Sequence, residues 1–124
     1  MKYIPVIESS GKVRVYIVQS GRTPTLEWLQ AQVGGRIEPV RICLNGSCTM
    51  LVNEEGRLLG LPFNSPATEL SRNNSMIVGD AVVMKAEGTK FVPLDPDELK
   101  LIVAWCAQGC AGDDTRKIEK EDEE

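Results

Sequence analysis

Histidine is absent from the 124-residue chain. That excludes serine–histidine and cysteine–histidine catalysis and every mixed cysteine–histidine metal site. Nowhere do some 18 apolar residues run together, so no membrane-spanning helix is expected. Met1-Lys2-Tyr3-Ile4-Pro5 carries one charged side chain and no long apolar stretch behind it, unlike a secretory signal. The expected compartment is therefore the cytoplasm. No internal repeat is visible, and the length fits one domain with one hydrophobic core.

A basic excess is also missing. The net charge is -4, and residues 113–124 hold seven acids against three bases, which leaves residues 1–112 neutral. A neutral body lacks the cationic surplus of a general phosphate-backbone binder, so nucleic acid is not the expected partner. Residues 1–112 are read as a single α+β domain and 113–124 as an acidic, disordered tail, because blocks of like charge stay solvated.

Short strands and turns dominate what is present. Lys2–Glu8 reads as a strand that Pro5 would place at an edge or bulge. Val13, Val15 and Ile17 alternate with Arg14, Tyr16 and Val18 in a second strand. Leu26, Leu29 and Val33 then recur at helical spacing, with Thr23 or Thr25 as cap and Gly34-Gly35 as stop. Strands are expected at Ile37–Leu44 and Thr49–Val52, joined by the hairpin signal Asn45-Gly46. Asn53-Glu54-Glu55-Gly56 forms a reversal with Gly56 in a left-handed bulge position, and Arg57–Leu61 is expected as a strand. A helical turn at 66–71 with Ser65 as cap follows, then strands at Asp80–Lys85 and Lys90–Val92. Asp95-Pro96-Asp97-Glu98 is a capping box that opens a last helix, which runs to about Gln108, with Leu94 and Leu99 as its hydrophobic staple. Runs of strands with few helices predict a mostly antiparallel sheet, one helix after the second strand and a closing C-terminal helix.

Four segments taken in order carry a family likeness: Val33-Gly34-Gly35-x-Ile37-Glu38-x-Val40, Asn53-Glu54-Glu55-Gly56-x-Leu58, Leu61-Pro62-x-Asn64 and Gly79-Asp80-Ala81-Val82-Val83. Together they resemble the domain of unknown function 3846 family over roughly residues 12–93. The resemblance implies a setting in phages, plasmids and their hosts. It brings no activity, substrate or catalytic residue. The four cysteines and the acidic tail depart from the family's pattern.

Several constellations bear on chemistry. Cys43 and Cys48 flank the Asn45-Gly46 turn, and Cys106 and Cys110 end the last helix. Four thiolates converging at ~2.3 Å would make a zinc site, yet the spacings of four and three intervening residues also suit a disulfide pair or plain thiols, and Cys106 fits a core stripe. No cofactor other than such a zinc ion is expected. Glu54, Glu55 and Asp80 are the acids a small hydrolase-like enzyme would use. Against this, adjacent acids in a tight turn commonly face water, and Asn53 and Asn64 read as turn residues that bond backbone. Gly34-Gly35 follows a helix, where no anion cradle forms. The last helix is apolar nearly all round, so Leu101 and Trp105 are the candidate residues for a partner contact or a homodimer. The leading expectation is a binding or accessory protein acting on a protein or small ligand; a small enzyme and a zinc-stapled module are the alternatives.

Overall fold

The computed structural model describes residues 1–19, 22–42, 48–72, 75–109 and 119–120. Its elements are β1 (Lys2–Ile7), β2 (Val13–Val18), α1 (Leu26–Val33), β3 (Ile37–Arg41), β4 (Cys48–Asn53), α2 (Gly56–Leu59), α3 (Ser65–Leu70), β5 (Ala81–Glu87), β6 (Lys90–Val92), α4 (Pro96–Gly109) and β7 (Glu119–Lys120). The strands join in the order β3-β4-β5-β1-β2-β7, with β6 paired to β5. All pairings among β1 to β6 are antiparallel, and β7 alone lies parallel, beside Arg14 and Val15. The fold is α+β, as expected.

Period-two patterning sorts the strand side chains onto two faces. Ile4, Val6, Leu51, Val82 and Met84 point to one face and pack against Leu29 and Val33 of α1. Ile7, Val13, Val15, Met50, Val52 and Val83 point to the other and meet Ala67 and Leu70 of α3 and Ile102 and Cys106 of α4. One sheet therefore carries a core on each side, in three layers. Helix α1 is short beside the strands it covers, whereas the 14 residues of α4 span about 21 Å. The eight residues of α1 span about 12 Å, while a six-residue strand spans about 20 Å. A corner of the sheet is left uncovered on each face.

Local chemistry explains the helix ends. The Thr25 side chain accepts the Trp28 N–H, and Gly34 closes α1 in the left-handed conformation. At α4, Glu98 accepts the Asp95 backbone N–H. The Asp95 carboxylate itself turns outward to Lys2 and Lys85, which ties the helix start to β1 and β5. Hydrogen bonds to Lys2 and Lys85 hold the Asp95 carboxyl below its ordinary pKa. Leu94 and Leu99, the expected staple pair, both join the α4-side core.

Several expectations need correction. Arg57–Leu61 is not a strand: Gly56–Leu59 is one helical turn, closed by left-handed Gly60, with Leu58 and Leu59 facing solvent. Gly56 is not left-handed. It is buried, and glycine is needed there because a side chain would meet Val78 Cγ2 at 2.7 Å. The cap of α3 is Asn64 and not Ser65. Leu26 drops out of the α1 stripe and is 54% exposed. β1 is an inner strand, yet Pro5 sits at a break in its pairing on the β5 side: Tyr3 bridges Leu94, pairing with β5 starts only at Val6, and the missing proline N–H falls between them. The Asn45-Gly46 turn lies outside the described residues. The ladder leading to it places Arg41 opposite Thr49, a register one residue away from the one that sets Cys43 against Cys48.

Candidate functional site

On the α4-side face, β3 and β4 extend beyond the helices. There the chain builds a cleft of about 330 Å³ from Glu38 and Val40 of β3, Val52 and Asn53 of β4, the Glu54-Glu55 turn, α2 and residues 75–78. Buried Asn53 holds the turn in place. Its Nδ2 donates to the Val33 carbonyl at 3.0 Å, and its Oδ1 accepts the Glu55 N–H at 2.7 Å. The Glu54 N–H donates to the Arg36 carbonyl at 2.8 Å. Glycine at 56 lets α2 settle against Val78, and Gly79 (φ 79°) packs under Leu61, where a side chain would come within 2.8 Å of Cδ1.

Asn64 anchors the same region from behind. It is fully buried, donates to the carbonyls of Ile7 (2.9 Å) and Gly79 (2.8 Å), and accepts the Ala67 N–H at 3.1 Å. One side chain thus ties β1, the start of α3 and the strand entry at Gly79. All four segments that carry the family likeness supply cleft or anchor residues in this way: Glu38, Asn53 to Gly56, Leu58, Asn64 and Gly79.

The cleft is acidic and apolar together. Glu38, Glu54 and Glu55 stand against one cation, Arg57, whose Nη2 leans on the Met76 carbonyl at 3.4 Å. Leu58 is 86% exposed and Met76 53%. Leu59 and Phe63, on adjoining segments, are also more than half exposed. Among the described residues, no three of His, Cys, Asp and Glu converge to hold a metal ion.

Asp80 does not join Glu54 and Glu55. It accepts the Ser9 N–H at 3.1 Å and pairs with Arg14 at 3.4 Å. Arg14 also binds Glu8 at 2.6 Å, the Tyr16 hydroxyl and Gln32. Burial pulls the Arg14 pKa down, but the hydrogen bond to Glu8 and the neighbouring charges outweigh it and hold the pKa above its ordinary value. Cys48 and Cys106 are both buried in the α4-side core. Cys43 and Cys110 lie outside the described residues. Burial, with help from Glu98, pushes the Cys48 thiol up to about 11. On α4, Leu101 is half exposed, while Trp105 packs on the core with its indole N–H buried and without a hydrogen-bond partner among the described residues.

Glu38 and Met76 escaped the sequence reading. Glu38 was visible only as part of the family likeness, and Met76 sits in a loop with no pattern of its own. No helix among the described residues is long and apolar enough to cross a membrane. No curated protein and no solved structure matches the chain. A family model does, over residues 1–107, a longer span than the quoted motifs covered. The chain belongs to the family described as a domain of unknown function, DUF3846.

Proposed function

We propose that the chain is a small binding protein, serving a phage, plasmid or related element as the family likeness implies, and that it holds a protein partner at the cleft between β3, α2 and residues 75–78. The observation that carries this reading is the pairing of strongly exposed Leu58 and Met76 with Glu38, Glu54 and Glu55 around one concavity. Single exposed leucines are ordinary. Apolar groups gathered at a cleft with a charged rim are the pattern of an interface. The complementary surface is a segment with apolar anchors and lysine or arginine beside them.

Such a partner is held by side chains more than by strand addition. The Glu54–Arg36 hydrogen bond sets the ladder phase so that Pro39 faces the outer edge of β3. Proline has no N–H to offer there, and the Arg72 N–H already occupies the Arg41 carbonyl. Nothing in the geometry favours the enzyme alternative, because Asp80 is held away from the cleft by Arg14.

Selection from a random peptide library against the immobilised chain tests this. Enriched peptides are expected to combine basic and large apolar residues. Their affinity should fall about tenfold on Leu58→Glu or on Glu54→Lys and stay unchanged on Leu101→Glu, on the distant α4. Peptides indifferent to both cleft substitutions would overturn the reading. Self-association through Leu101 and Trp105 is the second reading, favoured by the half-exposed Leu101. A sedimentation profile that stays monomeric at high concentration removes it.

A further inference from the structure

The uncovered corner on the α1 face holds a second concavity, of about 350 Å³. That volume lies within the ordinary range of small-molecule sites, about 300–1,000 Å³. Its walls are apolar: Ile4, Tyr16, Val18 and Trp28, with the Tyr16 and Trp28 rings edge to face at 5.1 Å between centroids. Among the described residues its one charged lining residue is Arg22, and no acid lines it. Arg22 also borders a neighbouring groove lined by Lys2, Lys85 and Glu87. Both of those lysines are tied to acids of the α4 N-terminal segment, Lys2 to Asp95 and Lys85 to Asp95 and Glu98. Arg22 has no ion-pair partner among the described residues.

We infer that this corner is a binding site for a small aromatic anion, with its rings between Tyr16, Trp28 and Val18 and its acidic group on Arg22. Apolar walls supply the affinity, and a lone cation at the mouth selects one sign of charge. Thr25 lines the same mouth and caps α1. The positive end of the helix dipole therefore adds to the field of Arg22. The occupant differs from that of the acidic cleft in size and in sign, and the two sites lie on opposite faces of the sheet.

The test uses the intact chain carrying Trp105→Phe, so that Trp28 is its only tryptophan, and anilinonaphthalene sulfonate, a fluorescent aromatic anion, as probe. Saturable binding of one probe per chain is expected, with energy transfer from Trp28. Arg22→Gln should weaken it about tenfold, and Val18→Phe, which fills the concavity without adding a tryptophan, should abolish it. The neutral phenylnaphthylamine should bind more weakly than the sulfonate and should not respond to Arg22→Gln. Arg22 is exposed, so its substitution leaves the fold intact. Sulfonate binding unaffected by Arg22→Gln, binding without transfer from Trp28, or a preference for the neutral probe would each overturn the inference. None of these readouts depends on the acidic cleft.

Discussion

Single side chains hold much of this structure in place, and Asn64 is the strongest case. Its amide donates to two buried carbonyls while its oxygen caps α3. Asn64→Ala removes a helix cap and takes a buried donor from each of two carbonyls, so a loss of about 3 kcal/mol is expected in urea unfolding. Asn64→Asp keeps the cap acceptor but loses both donors, and it should be destabilised at least as much. A loss below about 0.5 kcal/mol in either variant would remove the anchoring role. The sequence placed Asn64 in a turn and saw that it bonds backbone. Its burial beneath three elements was not legible, because Ile7 and Gly79 are brought to it only by folding. Cys48 makes the complementary case. With its thiol pushed up to about 11, the folded chain keeps a proton that the unfolded chain releases above its ordinary value of 9.0. Stability from this group is therefore complete below 9.0 and falls as pH rises towards about 11. Comparing urea midpoints at about pH 8 and about pH 10.5, Cys48→Val should lose less stability than the parent chain. At the lower pH, peptide mapping after alkylation should find Cys48 unmodified until denaturant is added.

Among the elements, those with strong local signals formed where the sequence placed them. Thr25 and Gly34 bound α1, and the Asp95 segment opens α4, because caps depend on neighbours a few residues away. α2 shows the opposite. Arg57-Leu58-Leu59-Gly60-Leu61 is apolar enough for a strand but does not alternate, and Gly60 closes a single turn that leaves both leucines in solvent. Apolar content misleads where the leucines stay in solvent and do not join the core. β3 illustrates how an edge is managed. Pro39 removes the outward N–H at the centre of the strand. Pro39→Thr restores it, and concentration-dependent self-association is expected in size-exclusion chromatography. A variant that remains as monomeric as the parent would show that Arg72 and the flanking loop guard the edge unaided.

At the scale of the whole molecule, one sheet couples two cores. Trp28 reports on the α1 side and Trp105 on the α4 side. Thermal unfolding of the single-tryptophan variants Trp28→Phe and Trp105→Phe, each referred to its own far-ultraviolet dichroism, should show fluorescence and dichroism transitions that coincide. A separate, earlier fluorescence transition on either side would mean that its helix layer melts independently of the sheet. The α+β class, the antiparallel pairing, the caps and the family likeness were all legible in the sequence, because period, turn chemistry and short motifs act within a few residues. Three features were settled only by tertiary structure: the inner position of β1, the separation of Asp80 from Glu54 and Glu55, and the gathering of Glu38, Glu54, Glu55, Leu58 and Met76 at one cleft. Each depends on which strands neighbour one another and on where the helices leave the sheet uncovered. Contacts between residues far apart in the chain decide both, and no local pattern encodes them.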